Sequence, residues 1–291
     1  MSIHSVTRSQ FHLAWDNSIQ PILRVQSGDT VKFDCLDASN GQITPDSTAA
    51  TLTSLALSSL DQVNGPIFVE GALPGDTLQV EILSIETADW GWTACIPGFG
   101  LLSDEFPEPV LKIWKLNKDK GFAYFDEEKG IKIPLKPFAG EMGHVTAGST
   151  LYLPVEVEGA LFSMGDGHAA QGDGEVCGTA IETPIVAELR LSVLKNRPYT
   201  KTPHFQTSIH ILNETYYCTT GVEPNLQDAT RAALRHMIQY LGAEYGLNPV
   251  EAYMLCSVAG DLRMLEVVDM PNYLVGMMMP RSIFPNAGTS A

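Results

Sequence analysis

The sequence predicts a mainly β protein, with an all-β sandwich core and a smaller α+β part that carries a helical pair near its C-terminal end. Three observations lead there. Short segments with apolar residues at alternate positions recur from the N-terminal region to about residue 222. Glycine, aspartate and asparagine punctuate them as turn residues. Helical spacing sets in only after residue 223, in two neighbouring stretches.

Taken in order, Val31, Phe33 and Cys35 alternate with Lys32 and Asp34 after a Gly28-Asp29 turn, the pattern of a half-buried strand. The same turn-then-strand phrase returns at Leu73–Leu83 and, more weakly, at Thr146–Val155. Glu70–Leu73 and Glu158–Leu161 both read Glu-Gly-Ala-Leu, so a partial internal duplication is expected. Asp37–Ser47 is a polar loop, Thr48–Asp61 a short helix at most, and Asn64–Glu70 a strand. Glu86–Leu102, with Trp90, Trp92 and Phe99 among glycines, reads as an aromatic loop able to wall a pocket or to cover a sheet edge. Val110–Ile133 reads as two or three antiparallel strands turning at Asn117–Gly121 and Asp126–Gly130. Val155–Phe162, Thr179–Glu182, Ile185–Leu194, Phe205–Leu212 and Thr215–Thr220 are strand-like. Gln227–Leu241 carries Ala229, Ala233, Met237 and Leu241 on one helical face. Asn248, Pro249 and Glu251 open a second helix that Gly260 stops. Leu262–Val268 and Asn272–Met279 are the last strands, with Met277–Met279 in a core. The chain is read as one unit, 1–291, with sub-parts 1–135, 136–222 and 223–291.

At 291 residues the chain can bury a large core. Charged residues are 18 % and hydrophobic ones 44 %, a composition that favours extensive burial and a homo-oligomer. Eighteen basic against 34 acidic residues leave a net charge of −16, which makes nucleic acid and acidic membrane surfaces poor partners. The five cysteines include no Cys-x-x-Cys pair and read as free thiols of a reducing compartment. Met1–Arg8 lacks the apolar stretch of a signal peptide, and no apolar run reaches membrane-spanning length. A cytoplasmic protein is expected.

The stretch with the densest chemistry is Gly165–Glu175, eleven residues where a strand connection needs two to five. Asp166 and His168 are two apart, so in an extended segment they point to one side. Asp173 and Glu175 repeat the spacing, and the glycines between them allow the two pairs to converge. Carboxylate and imidazole are ligands for zinc or a similar divalent ion. A Gly/Asp-rich hairpin is also an ordinary polar turn, and spacing alone does not separate the two readings.

Several phrases together resemble the acetamidase/formamidase family of metal-dependent amide hydrolases. They are His12–Asn17 followed by a strand opening on Gly-Asp, Asp37–Thr48, Gly65–Asp76, Leu151–Val155 with Gly159–Glu175, and Asn248–Ser257 with Pro271-Asn272. The resemblance spans nearly the whole chain. It implies a jelly-roll type sandwich, hydrolysis of a short aliphatic amide such as formamide or acetamide to the acid and ammonia, and a divalent metal, zinc first and calcium as the alternative. One departure stands out. Between the Pro-Phe-x-Gly phrase and the Leu-x-x-Pro-Val strand the family carries a loop with a His-Gly-Gly-Asn-x-Asp motif, whereas here Pro137–Gly143 runs directly into His144. An inactive or altered hydrolase is therefore the competing reading, beside a calcium-stabilised carbohydrate-binding sandwich that would present Trp90 and Trp92.

Under the resemblance, Asp166 and His168 are the foremost metal ligands, with His12 and Asp46 as distant ones. Asp173 and Glu175 are the acid/base candidates, and Glu175 is preferred for moving a proton because its longer arm reaches further. Gln42, Trp90 and Gln171 are candidates for holding the substrate. His4, His236, His204 and His210 read as surface or packing histidines, and His144 as no obvious replacement for the absent motif.

Overall fold

A computed structural model describes residues 1–143, 145–208 and 215–284. Among the described residues the chain is mainly β, with three sheets and a C-terminal helical pair. The largest sheet has nine strands in the order Ile3–Val6, Asp29–Cys35, Ile185–Leu194, Thr77–Thr87, Thr150–Pro154, His204–Gln206, Tyr216–Glu223, Tyr273–Pro280 and Asp261–Glu266. Its first pair is parallel and the rest antiparallel. A four-stranded sheet joins Phe162–Gly165, Val63–Val69, Phe11–His12 and Leu23–Val25. A seven-stranded sheet runs Ile131–Pro134, Phe122–Asp126, Val110–Asn117, Trp90–Cys95, Ile181–Glu182, Gly167–Ala170 and Phe138–Ala139.

The alternating residues are what bind the first two sheets. Val31, Phe33, Val80, Ala187, Leu189 and Leu191 come from the large sheet. They bury themselves against Ile67, Val69, Phe162 and Met164 of the four-stranded one. The three turn-then-strand phrases all feed the large sheet. Gly28, Gly75 and Gly148 each sit at a φ between 83° and 95°, where an L side chain would be strained. Each closes the same turn, with Asp29, Asp76 and Ser149 donating their N–H to the carbonyls of Gln26, Leu73 and Thr146 at 3.0 Å. The two Glu-Gly-Ala-Leu phrases face one another, joined by the Gly159 N–H to Ala72 carbonyl bond of 2.9 Å.

Met277 and Met279 pack against the helices while Met278 points into the sandwich core, as strand alternation requires. Helix Leu226–Tyr245 buries Ala229, Ala233, Met237 and Leu241, the face that the spacing marks, and runs one turn beyond Leu241 to the left-handed Gly246. Helix Pro249–Ala259 starts on the expected capping box, in which Asn248 accepts from the Glu251 N–H and Glu251 accepts from the Asn248 N–H. Gly260 ends it in an extended conformation, φ −96°, rather than a left-handed one. The five cysteines are free, and burial pushes the Cys35 thiol up to about 12, an inert packing residue.

Three expectations differ from the structure. Val155–Phe162 is not a strand: the chain turns through Val157–Leu161, with Ala160 and Leu161 at φ 59° and 52°. Glu86–Leu102 is not a loop throughout, because Trp90–Cys95 is a strand of the seven-stranded sheet. Gly165–Glu175 is not one long turn, since Gly167–Ala170 is a strand buried along its whole length. Glycine-rich composition hides strands where neighbouring backbones approach closely. Of Phe205–Leu212, Phe205 and Gln206 lie in strand His204–Gln206, Thr207 and Ser208 are irregular, and 209–212, with His210, lie outside the described residues, as does His144.

Asn248→Ala is expected to lower unfolding stability by about 1 kcal/mol. Met237→Ala, at the fully buried centre of the helix–sheet layer, should cost about 2–5 kcal/mol. Urea denaturation of both variants checks the order.

Candidate functional site

One row of side chains crosses four strands of the seven-stranded sheet. Phe138 pairs with His168, His168 with Glu182, and Glu182 with Trp92. Directly opposed residues of neighbouring antiparallel strands project to the same face, and all four line a cavity of about 720 Å³. Asp166 enters the row from the side. It lies between strands Phe162–Gly165 and Gly167–Ala170, at φ 57°, as the single residue on which the chain passes from the four-stranded to the seven-stranded sheet. Both flanking glycines are required there. A Cβ on Gly165 would lie 2.3 Å from the Gln62 carbonyl oxygen, and one on Gly167 2.3 Å from that of Thr183.

At the centre of the cluster is His168, whose side chain is 2 % exposed. Its Nδ1–H donates to Gln171 Oε1 at 2.8 Å, which leaves Nε2 to face the carboxyls. Nε2 is 3.0 Å from Asp166 Oδ1, 3.0 Å from Glu182 Oε2 and 3.9 Å from Glu175 Oε1. The ring stands edge-on to Phe138, centroids 5.0 Å apart. Glu182 is 3 % exposed at its side chain; its Oε1 accepts from the Ala180 N–H, while its buried Oε2 faces His168 Nε2 as an ion pair. Gly140 forms the facing wall. Its N–H donates to the Asp166 carbonyl at 2.6 Å, and a Cβ there would fall 1.9 Å from Asp166 Oδ2.

The electrostatics follow from burial and crowding of like charge. Burial opposes the charge on His168, yet Asp166 and Glu182 outweigh it and hold the imidazolium well above the usual histidine range. Burial also opposes the Asp166 anion, but the facing imidazolium keeps that carboxyl below the ordinary value. Burial pushes Glu182 well up. Glu175 is raised to about 8, by burial first and then by Asp166, Asp269 and Glu266 against the pull of His168. Glu141 is raised to about 8 and Asp61 and Asp269 to about 6, burial again leading. Among the described residues the cavity lining holds seven carboxyl residues and no lysine or arginine.

One nitrogen and two carboxylate oxygens, from His168, Asp166 and Glu182, lie within 4.8 Å of one another. Such a donor set suits a divalent cation. A divalent cation would meet Glu182 Oε2, Asp166 Oδ1 and His168 Nε2 together and favour the ionised form of the crowded carboxyls, with the Nε2 proton standing in its position meanwhile.

Of the residues singled out by sequence, the structure brings together Asp166, His168, Glu175 and Gln171. Asp173 points elsewhere, into an ion pair with Arg263 at 2.6 Å. His12 has both ring nitrogens engaged, at 2.8 Å from the Ala14 carbonyl and 2.8 Å from Ser163 Oγ, so neither is left for a metal. Asp46 is exposed on its loop, outside the cavity lining. Gln42 braces its loop by bonding both the N–H and the carbonyl of Ala56. Trp90 is half-buried and packs on the cluster of Ile43, Leu52 and Trp92, and it is Trp92, 3 % exposed, that lines the cavity. Neither tryptophan offers the exposed platform of a glycan binder. Sequence reasoning missed Glu182, Glu141, Asp61, Glu266 and Asp269. Glu182 carried a signal, an acid inside the apolar run Ala180–Ile185; the others come from sequence-distant segments, Glu266 from the end of strand Asp261–Glu266 and Glu141 from the turn Gly140–Met142.

The sequence model of the acetamidase/formamidase family matches residues 3–146 and again 141–286. A formamidase of Methylophilus methylotrophus is 26 % identical over an alignment of 374 positions that covers 96 % of this chain and 91 % of that one. That alignment is longer than the 291 residues here, so the relative carries segments that this chain lacks. Among solved structures, an acetamidase from Bacillus halodurans superposes with a TM-score of 0.87 at 29 % identity, covering 98 % of this chain and 100 % of that one. A predicted acetamidase/formamidase from Thermoanaerobacter tengcongensis gives 0.88 at 26 % identity, with 99 % of each chain covered.

Raised carboxyls and a raised imidazole act in one direction on the metal-free protein. Unfolded, Glu175 ionises near pH 4.5 and folded only near 8, so folding loses stability as pH climbs through that window. His168 contributes stability below pH 6.5 that is lost above it. The melting temperature of chelator-treated protein should therefore fall from pH 5 to pH 8. Glu175→Gln should flatten the curve, and added zinc should raise melting most at the alkaline end.

Proposed function

The chain belongs to the acetamidase/formamidase family, and on that premise we propose that it is a metal-dependent hydrolase of linear amides, releasing a carboxylic acid and ammonia. The observation that carries the proposal is the convergence of Asp166, His168 and Glu182 on the floor of a cavity large enough for substrate. These three would hold the ion, zinc by the nitrogen and carboxylate donors, with calcium as the alternative. A bound divalent ion would supply a Lewis acid that polarises the amide carbonyl and makes water more acidic.

The remaining work falls to the chain itself. Gln171 fixes the His168 ring by accepting the hydrogen bond from Nδ1–H, so that Nε2 stays directed at the carboxyls. Glu175, with its carboxyl raised to about 8, both accepts and gives up a proton close to neutral pH. Its Oε1 lies 3.9 Å from His168 Nε2, at the edge of the cluster, the position from which a proton reaches a departing amide nitrogen. Phe138 and Trp92 close the two ends of the row, exclude water and orient a planar amide. Asp173 serves the site through Arg263, anchoring the loop that bears Glu175. The free thiols fit a reducing cytoplasm, and the low charge content fits a homo-oligomer.

Ammonia release from formamide and acetamide by the zinc-loaded protein tests the reading. Glu175→Gln should lower kcat by roughly 10²- to 10⁴-fold with metal content unchanged. Asp166→Asn should lose metal and activity together. Gln171→Leu should weaken metal affinity or turnover roughly 10- to 100-fold. A zinc-loaded protein that turns over neither amide would sink the proposal.

A further inference from the structure

The candidate active site has a neighbour that a two-carbon amide does not need. A second cavity of about 350 Å³ abuts the first. Its shared wall is Gly140, Glu141, Gly143, Val222, Leu265 and Leu274, which line both. Away from that wall the second cavity is mostly apolar, with Leu78, Leu151, Leu153, Phe162 and Phe205 on its sides, Trp15 at its rim, and Ser163 and Thr220 as its polar members. It lies between the large sheet, through Leu78, Leu151 and Leu153, and the turn before Phe162–Gly165. Formamide and acetamide have three and four heavy atoms, whereas cavities of roughly 300–1,000 Å³ accommodate far larger ligands.

A second observation falls on the same wall. The family model matches in two parts that meet at residues 141–146, on this wall, and a relative aligned over 374 positions carries chain that is absent here. The partition between the two cavities is the short Gly140–Gly143 turn together with Val222, Leu265 and Leu274. The polar cluster and the apolar cavity are thus separated by a few residues, one of them a glycine facing Asp166.

From this geometry, and resting on the amidase reading above, we infer that the substrate class is primary amides with an apolar acyl chain of about four to eight carbons or an aryl group. The carboxamide lies over Asp166, His168 and Glu182, and the chain passes Leu265 and Leu274 into the second cavity. Hydrolysis adds water across the C–N bond: the water oxygen joins the acyl carbon, the C–N bond breaks, and the nitrogen leaves as ammonia with a proton delivered through Glu175. The acyl tail takes no part in the chemistry and contributes binding only. Each methylene transferred from water to an apolar wall is expected to add roughly fourfold.

The test compares kcat/KM of the zinc-loaded protein for acetamide, hexanamide and phenylacetamide, with calorimetric binding of hexanamide alongside. Hexanamide should exceed acetamide at least roughly tenfold, within what four buried methylenes supply. Leu153→Trp, which fills the second cavity, should reduce that ratio about tenfold. Trp15→Ala, at an exposed position that folding does not depend on, should reduce it several-fold, so the test survives if Leu153→Trp fails to fold. Acetamide turned over as well as hexanamide overturns the inference and leaves the amidase reading standing. Hexanamide bound but not hydrolysed, with binding lost in Leu153→Trp, supports the cavity and overturns the amidase reading. No binding of hexanamide overturns the inference.

Discussion

The corner at Asp166 governs the architecture of the site. A chain leaving one sheet and entering another must change direction within a residue or two, and here it does so on an aspartate with positive φ between two glycines. Non-glycine residues tolerate that conformation poorly, aspartate and asparagine less poorly than most. The glycines on either side let two neighbouring backbones approach to distances that no Cβ would permit. Sheet packing thereby delivers a carboxyl to the same point as the imidazole two residues on. The geometry of the donor cluster is a by-product of how the sheets are joined, so it is as rigid as they are.

Support from outside the first contacts is graded. Gln171 holds the histidine, Ala180 holds Glu182, and the Gly140 N–H holds the Asp166 carbonyl. Further out, Arg263 ties down Asp173, and Gly174 bridges to Glu266 on the C-terminal strands. These last contacts join the loop of Glu175 to a strand about 90 residues away, so the C-terminal α+β part helps to position the central site.

How much of this could be read beforehand depended on the range of the interactions. Helix Pro249–Ala259 was legible to the residue because its signals, Asn248, Pro249 and Glu251, are local. Strand Ile185–Leu194 was legible because its inward side chains alternate without interruption. The family was legible in long phrases such as Gly159–Glu175. The convergence of Asp166 with His168 followed from two-residue spacing, although the intervening conformation is a corner rather than an extended run. Glu182 was not legible, because it meets His168 through a strand register set across the irregular Gln171–Ala180 segment, and register belongs to tertiary packing. His12 was misleading for a comparable reason. A histidine beside an aromatic looks available in sequence, but Ser163, 151 residues away, has taken its second nitrogen.

The carboxyl-lined cavity has a consequence for what leaves it. Amide hydrolysis turns a neutral molecule into an anion and a cation. With seven acidic residues and no lysine or arginine among the described residues of the walls, and His168 paired with Asp166, the field would favour departure of the carboxylate and retain the ammonium. Under the proposed activity, traffic out of the site would be sorted by charge: the acid product would be expelled by the walls, and the small cation would linger and compete with the next turnover.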